Sequence, residues 1–287
     1  MKHQRASPPT SRKDWSLLLV SLLAIAGGLG WTQVLYHAYV AQGEDLEQQG
    51  QTVAAIAAYQ SALQLDNRQA YPFYNLATLL EQQRQWEAAR AAYQAALQRD
   101  PDYGFAHLNL GFVLEQQGRL PEAVAAYQGA IAFNPRQAFT YTVLGDVLNR
   151  QGNQQAAETA YRQAIQIDPR HTMAHYHLGL LLLQQGRLDG AIAAFRRTTQ
   201  LDSRYTAAYR QLGQALQRKG QWELAIAAYR QVLQRQPQDA ATHYELGRTF
   251  AKQGQIQVAI AAYQQAIALA PTNQTYQTAL RQLQTAR

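Results

Sequence analysis

The chain has 287 residues, no cysteine, and 26 Lys/Arg against 19 Asp/Glu, a net charge of +7. Without cysteine there can be no disulfide, no thiolate nucleophile and no cysteine-ligated metal. The length alone allows one or two domains, so the internal pattern has to decide the architecture.

Residues 1–14, MKHQRASPPTSRKD, are polar and basic and carry Pro8-Pro9. They lack the apolar side chains needed for a core and read as a disordered tail. Residues 15–36, WSLLLVSLLAIAGGLGWTQVLY, hold no charge. A run of that length can cross a bilayer as one helix, and Trp15, Trp31 and Tyr36 stand near its ends, where amphipathic rings favour the interface. Lys2, Arg5, Arg12 and Lys13 precede it, and Glu44, Asp45 and Glu47 are the first charges after it. This asymmetry places the N-terminus in the cytoplasm and everything after the span on the non-cytoplasmic side, in a periplasm, a lumen or the exterior. An uncleaved signal anchor is the favoured reading. A leader cleaved after Ala24-Ile25-Ala26, giving a secreted chain, is the second. A helix buried among the elements that follow is the third, and it is disfavoured because the segment is apolar all round.

From Tyr36 onward one pattern returns every 34 residues without insertion or deletion. Counting Tyr36 as position 1, the units are 36–69, 70–103, 104–137, 138–171, 172–205, 206–239 and 240–273. Within each, apolar residues recur at helical spacing in two short segments separated by a turn residue, commonly glycine. Position 7 is leucine in six units, from Leu76 to Leu246, with Gln42 in the first. Position 8 is Gly43, Ala77, Gly111, Gly145, Gly179, Gly213 and Gly247. Position 20 is alanine throughout, from Ala55 to Ala259. Position 24 is aromatic throughout: Tyr59, Tyr93, Tyr127, Tyr161, Phe195, Tyr229 and Tyr263. Pro101, Pro135, Pro169, Pro237 and Pro271 occupy position 32, with Asn67 and Ser203 in the other two units. Small residues at positions 8 and 20 let two helices approach closely, and the aromatic at 24 fills the space beside them. One unit cannot bury both faces of its helices, whereas a stack of units can. The first unit is the poorest match, so its first helix reads either as a continuation of the membrane helix or as a polar N-terminal cap. Residues 274–287, QTYQTALRQLQTAR, form one more helix with Leu280 at position 7, a capping helix for the last apolar face.

The pattern resembles the tetratricopeptide repeat (TPR), whose 34-residue unit carries Leu-Gly, Ala, an aromatic and Pro at these offsets. The resemblance implies an all-α fold: a right-handed superhelical solenoid of seven helix-turn-helix repeats plus a capping helix, here preceded by one transmembrane helix. It also implies that helix A of each repeat lines a concave groove through positions 2, 5, 9, 12 and 13. Read at and beside those positions, the candidate partner-binding residues are Tyr74, Asn75, Leu108, Asn109, Phe112, Tyr176, Leu180, Leu183, Arg210, Arg218, Arg248 and Lys252. Asn75 and Asn109 match the family's asparagine that can hold a ligand's backbone. Phe112, Leu180 and Leu183 are expected to be exposed. For Tyr71, Phe105 and Phe139 at position 2, packing between units and exposure to a partner stand level.

The groove would be apolar at its centre, acidic at one end through Glu44, Glu47, Glu81 and Glu115, and basic at the other. Residues 36–135 hold 5 Lys/Arg against 10 Asp/Glu, and residues 136–287 hold 17 against 8. An apolar groove with charged ends suits a peptide or an amphipathic helix. The acidic first half argues against nucleic acid. The histidines give no catalytic or metal constellation: His107, His175 and His243 share position 4 and read as packing residues, and His171, His175 and His177 do not face one way. No phosphate-cradling or nucleophile motif occurs. The expectation is a non-enzymatic, cofactor-free, membrane-anchored scaffold for protein segments, of the kind that assists assembly of a membrane or envelope complex, with no small-molecule substrate. A self-associating structural component of a membrane complex is the alternative.

Overall fold

The computed structural model describes residues 30–285, so the basic tail and most of the expected membrane span lie outside the described residues. Those residues form fifteen α-helices and no strand, in two compact units that meet after Pro135. The first unit holds α1 (Gly30–Gln48), α2 (Thr52–Leu65), α3 (Ala70–Gln82), α4 (Trp86–Arg99), α5 (Gly104–Gln116) and α6 (Leu120–Phe133). The second holds α7 (Ala138–Arg150), α8 (Gln154–Ile167), α9 (Thr172–Gln184), α10 (Leu188–Leu201), α11 (Thr206–Arg218), α12 (Trp222–Arg235), α13 (Ala240–Lys252), α14 (Ile256–Leu269) and α15 (Gln274–Thr285). From α3 to α14 the helices alternate between 13 and 14 residues, helix A and helix B of each repeat, and within each unit they form a helical-repeat solenoid.

Two kinds of turn set this pitch. Between helix A and helix B, glycine adopts left-handed backbone, as at Gly118 with φ +73°. Gly118 N–H then donates to the Glu115 carbonyl at 3.0 Å and Arg119 N–H to the Leu114 carbonyl at 2.9 Å, closing the end of helix A. One turn departs from the rule: Arg84 stands where the others have glycine and takes φ +56°. Between helix B and the next helix A, an aspartate side chain accepts from the backbone two residues on. Asp66 accepts from Arg68 at 3.0 Å, Asp168 from Arg170 at 2.9 Å and Asp202 from Arg204 at 2.8 Å.

The core follows the repeat. The position 20 alanines are fully buried, and Tyr59, Tyr93, Tyr127, Tyr161, Phe195 and Tyr229 are buried beside them. The small residue at position 8 is a steric necessity: a Cβ added to Gly111 would sit 2.5 Å from the Tyr127 ring. At the C-terminal end, α15 rests Leu283 on the core of the second unit while burying none of its residues fully.

The first helix is described from Gly30 onward, and the last seven residues of the expected 15–36 span belong to it. Tyr36 is buried and Gln33 Nε2 donates to Asp66 Oδ2 at 2.9 Å, so this end of the span is held by the first repeat. Arg68 and Gln33 together hold the Asp66 carboxyl well below the usual carboxylate range. Among the described residues no helix is long and apolar enough to cross a membrane.

Candidate interaction surface

In the first unit the A helices α1, α3 and α5 carry Glu47, Glu81 and Glu115, one at position 12 of each repeat. The position 24 ring lies over position 8, one helical turn before position 12, so its hydroxyl is delivered to that glutamate. Tyr59 donates to Glu47 at 3.3 Å, Tyr93 to Glu81 at 2.7 Å and Tyr127 to Glu115 at 3.2 Å. The next repeat adds an asparagine: Asn75 Nδ2 donates to the Tyr59 hydroxyl at 3.3 Å and Asn109 Nδ2 to the Tyr93 hydroxyl at 3.2 Å. Burial pushes the Tyr59 and Tyr93 phenols far above their ordinary value, and the neighbouring carboxylates add to this. Burial also raises Glu81, partly offset by the bond from Tyr93.

Asn75 and Asn109 therefore depart from the sequence expectation. Their amide nitrogens are engaged inside the solenoid, and Asn75 is buried. The apolar candidates of this unit differ among themselves. Phe112 is 41% exposed and meets Trp86 of α4 edge-on at 6.4 Å. Leu108 is half-buried, and Tyr74 lies between the rings of Tyr93 and Tyr103 at 5.9 and 4.9 Å. Tyr71 and Phe105, for which packing and exposure stood level, are 46% and 58% exposed. Tyr71 donates its hydroxyl to Glu44 at 2.7 Å.

The second unit uses other groups at the same places. Tyr161 donates to Asp146 at 2.7 Å, and His177 Nδ1 lies 2.8 Å from the same carboxylate oxygen. At position 12 of α9 the glutamate is replaced by Leu183, and at position 24 of α10 the tyrosine is replaced by Phe195. With no hydroxyl to receive, Leu183 joins Phe195 in the core and is 8% exposed. The expected exposure of Leu183 is thus corrected. Leu180 and Tyr176 are half-buried and pack on the same cluster, with the Tyr176 ring 4.9 Å from Tyr205 and 6.0 Å from Phe195. Tyr229 is fully buried with no hydroxyl partner, because Gln217 turns to Thr249 Oγ1 at 2.9 Å.

The basic candidates are largely engaged within their own unit. Arg210 pairs with Asp239, Arg248 pairs with Glu245 at 3.1 Å, and Arg218 Nη1 donates to the Leu183 carbonyl at 2.9 Å. Lys252 is exposed and forms no ion pair among the described residues. The picture of four cations presented to a partner is corrected to one in which two are neutralised by neighbouring carboxylates.

The position 4 histidines lock turns. Nε2 of His107 donates to the Pro101 carbonyl at 2.8 Å, of His175 to Pro169 at 3.1 Å, and of His243 to Pro237 at 2.9 Å. In the second repeat, where position 4 is Phe73, Arg99 lies over that ring at 4.7 Å and gives its Nε to the Asn67 carbonyl at 2.8 Å. Gln277 Nε2 donates to Pro271 at 2.7 Å. Among the described residues no group of three or more His, Asp or Glu is placed to hold a metal ion.

Sequence reading missed Trp86 and the polar partners of the position 24 rings. The paired change of Glu to Leu at position 12 and Tyr to Phe at position 24 is the signal that could have found the second.

A family model described as the cilia and flagella-associated protein 70 C-terminal domain matches residues 73–283, and one described as a TPR repeat matches residues 43–84. No curated protein sequence matches the chain. Among solved structures, the C-terminal part of a TPR repeat-containing protein from Cytophaga hutchinsonii superposes with a TM-score of 0.73 at 16% identity, covering 84% of this chain and 99% of its own. YrrB, described as a TPR protein with an unusual peptide-binding site, gives 0.60 at 22% identity over 66% of this chain and 98% of its own. MamA gives 0.55 at 25% identity over 58% and 97%. The first family model spans well over half of the chain, and the chain belongs to the tetratricopeptide-repeat family that this model describes.

Proposed function

We propose that this chain is a membrane-anchored scaffold that binds segments of partner proteins on the A-helix faces of its repeats and assists assembly of a membrane or envelope complex. The observation that carries the reading is where the exposed aromatic rings stand. Of the five exposed aromatic rings among the described residues, Tyr71, Phe105, Phe112 and Phe139 are on A helices and only Phe133 is on a B helix. Large apolar rings left in water mainly on one helix class favour that class as the binding surface. YrrB, a protein of similar fold, is described as having a peptide-binding site, which supports a protein segment as the ligand.

The anchor in this reading is the uncharged run that precedes Gln33, residues 15–32, long enough for the roughly 17-residue minimum of a spanning helix. The repeats stand on the non-cytoplasmic side. The test is Phe105→Ala with Phe112→Ala in the full chain, followed by crosslinking in native membranes. Each lost anchor is worth about 2 kcal/mol, roughly thirtyfold in affinity, so partner crosslinks disappear while the melting temperature stays within a few degrees. Undiminished crosslinking would move the binding surface off the A helices.

A further inference from the structure

Charge is distributed over the A helices far more unevenly than over the chain. In the first unit α1, α3 and α5 carry Glu44, Asp45, Glu47, Glu81 and Glu115 and not one Lys or Arg. The arginines among the described residues of that unit lie on its B helices and turns: Arg68, Arg84, Arg90, Arg99 and Arg119. Glu47 and Glu81 form no ion pair among the described residues, and each accepts a neutral tyrosine hydroxyl. Glu44 likewise accepts from Tyr71. A tyrosine bond orients a carboxylate without cancelling its charge. Both glutamates at position 12 are half-buried, where a charge is less screened than in open water. Among them stand the exposed rings of Tyr71, Phe105 and Phe112, the last backed by Trp86.

We propose that the A-helix face of residues 30–135 takes a cationic, apolar segment of a partner protein, with Lys or Arg side chains reaching Glu44, Glu47 and Glu81 and apolar side chains covering Phe105 and Phe112. The inference rests on the A-helix reading of the previous section and names the chemistry of its ligand. Fixed, oriented carboxylates set the sign of the partner and its rate of encounter, and the rings supply the affinity. A basic side chain arriving at Glu81 favours the charged form against the burial that raises this acid, so binding strengthens as pH rises through the raised Glu81 titration. Tyr93 and Asn109 already orient Glu81, so the acid meets the ligand preorganised.

The test uses the full chain in nanodiscs of zwitterionic lipid and fluorescence anisotropy, with empty nanodiscs as the blank. Three labelled peptides are titrated: a nonapeptide in which lysine and phenylalanine alternate through serine spacers, the same peptide with glutamate for every lysine, and residues 1–14 of this chain, which are cationic but hold no Phe, Trp or Tyr. The lysine–phenylalanine peptide binds at least tenfold more tightly than either of the others. Glu47→Gln with Glu81→Gln, which keeps the tyrosine bonds, weakens it at least tenfold and flattens its salt dependence, with the melt unchanged. Equal binding of the lysine and glutamate peptides, or no effect of the two glutamine substitutions, overturns the proposal. Equal binding of residues 1–14 overturns it as well, since charge alone would then suffice. If Phe112→Ala abolishes binding of both phenylalanine peptides while the charge variants do nothing, the A-helix reading stands and the cationic preference falls. If no A-helix substitution affects any peptide, both fall together.

Discussion

The two units are built on one repeat and satisfy it differently. In the first, the A–B helix contact ends in a glutamate that receives a buried tyrosine hydroxyl, with a further amide from the next repeat on Tyr59 and Tyr93. In the second, position 12 reads Asn149, Leu183, Gln217 and Ala251, and each repeat solves the problem of its position 24 ring locally. Tyr161 finds Asp146, Phe195 dispenses with the hydroxyl, and Tyr229 keeps a hydroxyl with nowhere to send it. The difference teaches that the apolar part of the contact is fixed by the repeat while its polar end is free to change. That freedom leaves Glu47 and Glu81 of the first unit facing neutral hydroxyls and lets the second unit turn basic.

The sharpest way to break this comparison is to remove matched hydroxyls. Tyr93→Phe deprives Glu81 and Asn109 of a partner and is expected to destabilise by about 1–3 kcal/mol in denaturant unfolding. Tyr229→Phe removes a hydroxyl that bonds nothing and is expected to be neutral or slightly stabilising. Equal costs would mean that the two contacts do not differ as described. A smaller effect is expected in the turn of the second repeat. Arg84 holds left-handed backbone where the other helix A–helix B turns use glycine, so Arg84→Gly should stabilise by about 1 kcal/mol and raise the melting temperature by a few degrees.

The smallest effect is a slope. Burial raises Glu81 in the folded state, so the folded chain holds that proton more tightly than the unfolded one. Stability should therefore fall as pH rises from the ordinary glutamate range through the raised value, and Glu81→Gln should remove that decline. Glu158 in the second unit behaves oppositely. Burial pushes it up, but Arg162 and Arg187 outweigh this and leave it lowered. Its contribution is present above the ordinary glutamate value and is lost as pH falls through the lowered one. Unfolding curves of Glu81→Gln and Glu158→Gln across pH 3–8 should change slope in opposite directions.

Much of the fold could be read from the sequence because periodicity and close packing are local properties. Ala123 and Gly111 announce a contact through their size alone, and Tyr127 announces what fills it. The candidate surface was legible only in part. Phe112 is exposed as its position implies, whereas Leu183 is buried because its neighbour at position 24 lost a hydroxyl, a dependence between residues twelve apart that a position-by-position reading does not see. Arg210 and Arg248 looked like presented charges because their partners, Asp239 and Glu245, were not read with them. The hold on Gln33 was not legible for a related reason: nothing in an uncharged run says which of its residues will be held by a neighbour such as Asp66.

The turn locks carry a last consequence. His107, His175 and His243 are spaced 68 residues apart, with Tyr141 and Tyr209 between them and Phe73 before them at the same position. The imidazole closes its turn by a hydrogen bond to proline, and Phe73 and Tyr209 instead lie under the guanidinium groups of Arg99 and Arg235. The B-to-A junctions of this array are therefore closed by two kinds of contact, and shortened or lengthened versions should be cut so that each position 4 side chain keeps its own partner.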